Sequence, residues 1–197
     1  MNDFEFTRRN LPHLYFNEGV YFITFRIAGR LPYKLIQELK ITSHKFEDIP
    51  FEEFRKHFLL YDDYLDKNEY SKVNLTVSAI AKIISECILY SDGKEYNLIC
   101  FTIMPTHVHL AFELLRGNKG ISKIMQSIKG ISSRKVNQVL NRTGKFWQDE
   151  SYDRWIRNDI ELYYVIRYIL ENPVKANLVK SWDDWRYTYC KKEFIIL

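Results

Sequence analysis

The stretch YNLICFTIMPTHVHLAFEL, residues 96–114, decides the fold of this chain. Its first part, 96–104, is an almost continuous run of apolar residues, which is typical of a strand that is covered on both faces. A second strand is predicted over 107–114, and Pro105 marks a tight connection between the two. The centre of the chain therefore predicts two neighbouring strands of one sheet.

Two of the five histidines in the chain fall on the second of these strands, with one residue between them. Because side chains alternate along a strand, His107 and His109 face the same side with Cα atoms about 7 Å apart, and Val108 faces the core. Converging imidazoles are typical of metal sites. Two half-exposed histidines on a sheet face would show the same spacing, so the spacing leaves both interpretations open.

Periodicity outside this pair predicts two more strands and several helices. The strands are 20–27, rich in β-branched and aromatic residues, and the short segment 153–157. Helical spacing of apolar residues predicts five helices. The first begins at Pro32, the second covers 51–65, the third follows a cap at Asn74 or Thr76, the fourth extends from 121 towards 140, and the fifth runs from a cap at Asp159 to about Asn172. Pro173 sets the last boundary, because a residue before proline disfavours helical dihedrals. We expect an α+β fold with helices on an antiparallel sheet, and a helical excursion around 40–73.

Length and composition predict one soluble globular domain over 1–197, with 46% hydrophobic and 27% charged residues. The formal net charge of +4 permits a nucleic-acid partner without requiring one. Three well-separated cysteines, Cys87, Cys100 and Cys190, argue against a disulfide framework or a zinc ribbon and favour a reducing cytoplasm. No apolar leader and no apolar run of membrane-spanning length occur, so we expect a cytoplasmic protein with no membrane partner.

A second group of polar residues lies on the last predicted helix. Tyr168 and Asn172 stand at i and i+4 and project from one face, with Tyr164 one turn earlier. Asparagine offers a carbonyl oxygen that can complete the shell of a metal ion, and tyrosine offers a phenolic oxygen. A tyrosine on an amphipathic helix is more often a core residue, and asparagine before proline often ends a helix. This spacing also leaves both interpretations open.

Basic and aromatic residues between 121 and 152 suggest contacts with nucleic acid. The helix after 121 carries Lys129, Arg134 and Lys135, and the loop after it carries Trp147 and Tyr152. We expect the basic side chains to hold phosphates and the rings to stack on unpaired bases. A solvated helix face and ordinary surface packing are the competing interpretations.

Several motifs in a fixed order resemble a known family. They are MPTHVHL at 104–110, YFITFRIAGRLP at 21–32, FWQ at 146–148, SYD at 151–153, and Tyr168-x-x-x-Asn172-Pro173-Val174-Lys175. Together they resemble the His-hydrophobe-His (HUH) single-tyrosine transposases, in the branch of REP-associated tyrosine transposases. The resemblance spans roughly residues 15–190, and 40–73 is its least typical stretch.

The resemblance implies a ferredoxin-like (RRM-like) sheet with the histidines on a central strand and the nucleophile on the C-terminal helix. It assigns His107 and His109 to a divalent ion, Mg²⁺ or Mn²⁺. It assigns Tyr168 to nucleophilic attack and Asn172 to the third metal bond. Members of the insertion-sequence branch carry glutamine at that last position, so the shorter amide predicts a weaker bond or a water bridge.

The resemblance implies metal-dependent nicking and strand transfer of single-stranded DNA through a 5′-phosphotyrosine. It also implies hairpin or palindromic DNA as the substrate, and a homodimer is compatible with it. Tyr152, Tyr163 and Tyr164 are rival nucleophiles, although the last two lack a polar partner at i+4. One alternative is a domesticated, non-catalytic nucleic-acid-binding module. Another is a zinc hydrolase, but the sequence offers no third strong ligand near the histidines.

Overall fold

The computed structural model describes residues 18–30, 32, 33, 35, 37, 50–67 and 71–195, and the backbone of two short strands before them. Those two strands, β1 (Phe4–Arg8) and β2 (Pro12–Phe16), pair with each other as an antiparallel hairpin. The main sheet consists of β3 (Gly19–Arg26), β4 (Tyr96–Ile103), β5 (His107–Leu114), β6 (Tyr152–Ile156) and β7 (Thr188–Cys190). Its order is β6-β3-β5-β4-β7, and all pairs are antiparallel.

Among the described residues, four helices of three or more turns cover the two faces of this sheet. They are α1 (Phe51–Asp66), α2 (Ser78–Leu89), α3 (Ile121–Val139) and α4 (Asp159–Lys175). The apolar stripes of α2 and α3 form the larger core with one face, and those of α1 and α4 form a second core with the other. The predicted α+β fold with an antiparallel sheet is therefore confirmed. Within the described part of the chain, no helix has the length and apolar character needed to cross a bilayer.

The register of β3 and β5 fixes the two faces of the sheet. Thr24 lies opposite His109, and Arg26 lies opposite His107, so these side chains project into the layer of α1 and α4. Val108 points to the other side, into the larger core, as alternation predicts. Because β5 is the middle strand of the five, both histidines lie at the centre of the sheet, as expected.

Helix α4 continues beyond the boundary that the sequence predicts. Its cap is Asn158, not Asp159, and the Asn158 side chain accepts a hydrogen bond from the backbone N–H of Glu161 at 2.9 Å. At the other end the helix passes through Pro173 to Lys175, so the predicted stop at Asn172 is wrong. The rule for residues before proline is a local preference, and here tertiary contacts of both Asn172 and Lys175 oppose it.

The start of α2 also differs from the prediction. The helix begins at Ser78 after Val77, without a side-chain cap. The side-chain Oδ1 of Asn74 instead accepts hydrogen bonds from the backbone N–H and the hydroxyl of Thr76, which closes a turn before the helix. The hairpin of β1 and β2 and the short strand β7 were not predicted, because segments this brief carry little periodic signal.

Helix α1 confirms the predicted helix within 40–73, but not its description as an excursion from the sheet. Phe54, Phe58, Tyr61 and Leu65 are buried on the sheet face that carries the histidines. Positions 40–49 and 68–70 of this region lie outside the described residues. Of the helix predicted from Pro32, the described residues at 33, 35 and 37 are helical.

A buried ion pair joins β6 to the start of α4. Arg154 donates two hydrogen bonds to Glu161, at 2.9 and 3.3 Å, and the two side chains are only 6% and 8% exposed. We expect Glu161→Ala to lower the free energy of unfolding by about 3 kcal/mol, because it leaves a buried guanidinium without its partner. Urea unfolding measures this change.

The matched control is Glu86→Ala, which removes an exposed partner of Lys82 on α2. Exposed pairs contribute less than about 1 kcal/mol, so this variant should unfold almost as the wild type does. Equal effects of the two substitutions would show that the buried pair does not hold α4 in place.

Candidate active site

The two histidines of β5 are fully buried between the sheet and helices α1 and α4. Their Nε2 atoms lie 3.0 Å apart, and neither side chain is exposed. They are therefore not half-exposed residues on an open sheet face. Phe22 of β3 packs against the ring of His109, and Phe58 of α1 meets that ring edge-on.

Threonine hydroxyls hold the outer nitrogen of each ring. Thr24 Oγ1 lies 2.7 Å from Nδ1 of His109, and Thr106 Oγ1 lies 3.1 Å from Nδ1 of His107. The Thr106 hydroxyl donates its hydrogen to the carbonyl of Leu65, so toward the imidazole it acts as acceptor. The tautomer with its proton on Nδ1, which the Thr106 oxygen can accept, directs the Nε2 lone pair inward, and this is the form of His107 that binds a metal.

The third member of the site is Asp62 of α1. Its Oδ1 lies 3.1 Å from Nε2 of His109 and 3.3 Å from Nε2 of His107, and the carboxylate is fully buried. Asp62 is not identified in the sequence analysis, where no third strong ligand is found near the histidines. The signal was present, because an aspartate on the apolar stripe of α1 is costly to bury unless something pairs with it.

The electrostatics of the site follow from burial and from the imidazoles. Burial alone would raise the pKa of Asp62, but His109 and His107 outweigh it and hold that pKa well below the ordinary value. Burial lowers the pKa of His107. Burial and the negative charge of Asp62 together raise the pKa of Asp66 to about 6. Asp62 is thus the resident anion of the site, and His107 is held in its neutral form at neutral pH.

Helix α4 supplies the remaining polar groups. The Tyr168 hydroxyl donates a short hydrogen bond to Oδ2 of Asp62. The Asn172 amide donates to the same oxygen at 2.9 Å and to the Tyr168 oxygen at 3.0 Å. Lys175 Nζ reaches that carboxylate oxygen at 3.3 Å. Burial and the adjacent carboxylate raise the pKa of Tyr168 well above its usual value, so at rest the phenol is protonated.

These atoms fit a divalent cation. The edges of the triangle formed by Oδ1 of Asp62 and the two Nε2 atoms measure 3.0, 3.1 and 3.3 Å. Ligands at right angles on an ion with bonds of about 2.1 Å lie about 3 Å apart, so one ion can bind all three atoms. Within the described part of the chain, buried Asn172 Oδ1 and Asp66 Oδ1 accept no hydrogen bond, which leaves two more oxygens beside this group.

The aromatic residues expected to stack on DNA are buried instead. Trp147 is only 4% exposed, donates to Ser132 Oγ at 2.9 Å and packs edge-on against Phe25 in the larger core. Tyr152 is 2% exposed and stacks on Tyr61 of α1. The prediction of base-stacking by Trp147 and Tyr152 is wrong for this arrangement, because neither ring presents a free face to solvent.

The basic residues expected to hold phosphates differ from one another. Lys129 donates to the carbonyls of Gln148 and Asp149, both at 3.0 Å, and burial lowers its pKa to about 8. It ties α3 to the neighbouring loop, so the expectation of a free phosphate contact is not met. Arg134 and Lys135 are exposed, but α3 lies on the opposite face of the sheet from Tyr168.

The rival tyrosines lie apart from the histidines. Tyr163 and Tyr164 are 39% and 40% exposed on α4, and their rings contact each other. The buried Tyr152 ring packs against Tyr61 and Phe58. Tyr168 is the tyrosine whose hydroxyl joins the group around Asp62, so the geometry favours it among these four.

Comparison with known proteins gives one family match. The family model described as "Transposase IS200 like" matches residues 66–172, which is more than half of the chain. Helix α1, apart from its last residue, precedes this range, so Asp62 lies outside the match.

Two curated relatives and one solved structure are similar to this chain. A putative REP-associated tyrosine transposase of Haemophilus influenzae is 26% identical over 106 residues, covering 49% of this chain and 60% of the relative. A REP-associated tyrosine transposase of Escherichia coli K12 is 26% identical over 97 residues, covering 48% and 54%. This chain thus matches less than two thirds of the length of either relative.

The solved structure, of a REP-associated tyrosine transposase bound to a REP hairpin, aligns with a TM-score of 0.57. The alignment covers 93% of this chain and 81% of the other, at 17% identity. At this identity the likeness shows that the two proteins share a fold.

The geometry predicts one metal site per chain with Asp62 as a ligand. Isothermal titration with Mn²⁺ should show weaker binding by Asp62→Asn. Loss of an outer-sphere partner weakens metal binding about 10- to 100-fold, and loss of a direct ligand should weaken it more. Asp63→Asn is the matched control, because the Asp63 carboxylate is exposed and pairs with Lys67. Unchanged affinity in Asp62→Asn would remove Asp62 from the ligand set.

The raised pKa of Asp66 predicts a pH-dependent stability in chelator. Because the folded-state pKa of about 6 exceeds the unfolded value of 3.8, the ionised carboxyl destabilises the fold once the pH rises through about 6. Asp66→Asn should therefore increase the free energy of unfolding at pH 8, by roughly 1–3 kcal/mol, and change it little at pH 4. Chemical denaturation at both pH values tests this, and an equal effect at both would contradict it.

Proposed function

Because the chain belongs to the IS200-like transposase family, we propose that it is a metal-dependent enzyme that cuts and rejoins single-stranded DNA through a 5′-phosphotyrosine. Family membership confirms the resemblance noted in the sequence and makes the chain a member of a family of enzymes. The metal dependence, the covalent intermediate and the roles of individual residues are our proposal for this chain.

One observation carries the proposal: a single buried carboxylate contacts both the metal-binding imidazoles and the phenol. Asp62 Oδ1 faces His107 and His109, and Asp62 Oδ2 accepts from Tyr168. A nucleophile and a cation site that share one hydrogen-bonded group are already positioned to act on the same phosphate. A protein that only binds nucleic acid has no need of this combination.

We assign the cation to the two imidazoles and Asp62, with Asn172 Oδ1 as a further ligand, bound directly or through water. Mg²⁺ or Mn²⁺ is the proposed ion, because the carboxylate, amide and phosphate supply the oxygens that these ions prefer. When bound, it polarises the scissile phosphate and neutralises charge in the transition state. The outer hydrogen bonds between the Nδ1 atoms and the hydroxyls of Thr24 and Thr106 keep both rings oriented toward it.

The residues of the chain then carry the covalent step. The Tyr168 oxygen attacks phosphorus, a P–O bond to Tyr168 forms, and the bond from phosphorus to the 3′ oxygen breaks. Because the pKa of Tyr168 is raised, the phenol needs a base, and Asp62 Oδ2 is the acceptor in contact with it. The departing 3′ oxygen takes up a proton and leaves as a hydroxyl. Attack by another 3′-hydroxyl reverses the step and joins strands.

Access for the substrate requires movement. Asp62, His107 and His109 are fully buried, so a phosphodiester reaches them only when α1 and α4 separate locally. Lys175 extends from the site to solvent, with a 40% exposed side chain that already contacts Asp62. We assign Lys175 to the incoming phosphate, for which it can exchange its contact with the carboxylate.

The proposed substrate is a single strand that folds into a hairpin. The structurally similar transposase is bound to a REP hairpin, and a tyrosine that attacks a buried phosphate needs the flexible backbone of unpaired DNA. We retain Arg134 and Lys135 as phosphate contacts, although a strand held there would have to pass around the sheet to reach Tyr168. Affinity should fall with salt as counterions are released.

Assembly and compartment follow from the same observations. The groups that we assign to the cation and to the attack lie on α1, β5 and α4 of one chain, and a homodimer stays a prediction of the family resemblance. The three cysteines, Cys87, Cys100 and Cys190, are free thiols. We place the protein in the cytoplasm, because reduced cysteines are usual there.

We expect Tyr168→Phe to remove the covalent protein–DNA adduct while keeping Mn²⁺ binding. The substitution deletes only the attacking oxygen and keeps the ring that packs against Phe22 and Phe58. Incubation with labelled single-stranded hairpin DNA and Mn²⁺, followed by a denaturing gel, measures the adduct. Chelator should also abolish it.

Tyr163→Phe is the matched control, because it deletes a phenol from the same helix outside the site. It should form the adduct at the wild-type level. An adduct that persists in Tyr168→Phe would assign the nucleophile elsewhere. Tight hairpin binding without any adduct in the wild type would favour the non-catalytic binding module.

A further inference from the structure

A cavity of about 310 Å³ opens between α1 and α4, beside the proposed nucleophile. We refer to it as the aromatic cavity, because six of the residues that line it are rings: Phe22, Phe51, Phe54, Phe58, Tyr164 and Tyr168. Phe51 and Tyr164 are only partly buried, so the cavity is reached from solvent at their end. The reaction proposed above assigns no group of the substrate to this cavity.

The position of the aromatic cavity links it to the reacting atoms. The ring of Tyr168 forms part of its wall, while the hydroxyl of the same residue donates to Asp62 outside the cavity. A group that fills the cavity therefore lies against the ring whose oxygen attacks phosphorus. In a DNA strand, the groups next to a scissile phosphate are the two adjacent nucleosides, and the base of either one can reach a cavity beside the attacking tyrosine.

The chemistry of the walls fits a flat aromatic ligand with a polar edge. Phe51 and Tyr164 lie with ring centroids 5.9 Å apart across the two helices, and Phe54 stacks on Phe58 deeper inside. Charged groups stand at the rim, where Arg55 pairs with Glu52 and Arg167 pairs with Glu171. Of these, Arg55, Arg167 and Glu171 line the cavity and offer both donors and an acceptor.

We propose that the aromatic cavity binds one unpaired nucleobase next to the scissile phosphate. This inference rests on the proposed function and adds a binding site to it. The base stacks among the phenylalanine and tyrosine rings, and its polar edge faces the rim. The volume lies at the small end of the range for ligand sites, which suits a single base.

A base site in the aromatic cavity also explains why the substrate would be single-stranded DNA. A base inside a duplex is stacked and paired, so it enters a protein pocket only after unpairing, which costs a few kcal/mol. An unpaired flank of a hairpin offers its bases without this cost. The aromatic cavity therefore selects unpaired DNA beside the cut, independently of how the hairpin stem is held.

The test separates binding of bases from binding of phosphates. A short fluorescein-labelled oligothymidylate and a base-free strand of equal length, built from abasic residues, carry the same charge. Fluorescence anisotropy should show that Tyr164→Ala weakens binding of oligothymidylate by about fivefold or more, the loss expected for one stacked base. Its affinity for the base-free strand should equal that of the wild type.

Two further variants control for folding and for nonspecific loss of a ring. Tyr164→Phe keeps the ring and should bind as the wild type does. Tyr90→Ala removes an exposed tyrosine from the end of α2, on the opposite face of the sheet, and should change nothing. Wild-type affinity of Tyr164→Ala for oligothymidylate, or an equal loss for both strands, would overturn the proposal.

Failure of this inference is distinguishable from failure of the proposed function. The anisotropy experiment needs no cleavage, so base-dependent binding by a protein that forms no adduct would overturn the catalytic proposal alone. An adduct on Tyr168 together with unaltered binding by Tyr164→Ala would overturn the aromatic cavity as a base site alone.

Discussion

The buried carboxylate of Asp62 is the charge around which this structure is arranged. A carboxylate without solvent costs several kcal/mol unless neighbouring groups compensate for it. Here the compensation comes from β5 and α4 together, through His107, His109, Tyr168, Asn172 and Lys175. The same contacts hold α1 on the sheet, keep α4 helical beyond Pro173, and set the phenol beside the imidazoles. One ionic requirement therefore links the architecture to the proposed chemistry.

The position of the site within the fold also depends on the two cores. Helices α2 and α3 bury the apolar face of β5, which leaves the opposite face for polar side chains. On that face, rings from Phe22 and Phe58 surround the histidines and exclude water. Low polarity strengthens each electrostatic contact inside the site, and it raises the pKa of Tyr168 at rest. Under the proposed function, this closed resting site would open when DNA separates the helices.

Much of this could be predicted from local sequence. The alternation around His107, Val108 and His109 predicts their opposite directions, and helical periodicity predicts four of the helices. The ordered motifs lead to the family and to Tyr168. The ordered motifs do not lead to Asp62, because it lies 106 positions before Tyr168 in a segment that the family model does not cover. Its place on the apolar stripe of α1 is the local signal that marks it. The burial of Trp147 and Tyr152 likewise depends on tertiary partners that no local pattern specifies.

A crystal structure of the Mn²⁺-loaded protein, with anomalous diffraction, can show whether Asp62 connects the cation to the nucleophile. We expect one anomalous peak within about 2.5 Å of Nε2 of His107, Nε2 of His109 and a carboxylate oxygen of Asp62. The other carboxylate oxygen should still accept from Tyr168. A peak bound by the histidines while Asp62 and α1 have turned away would show that Asp62 does not make this connection.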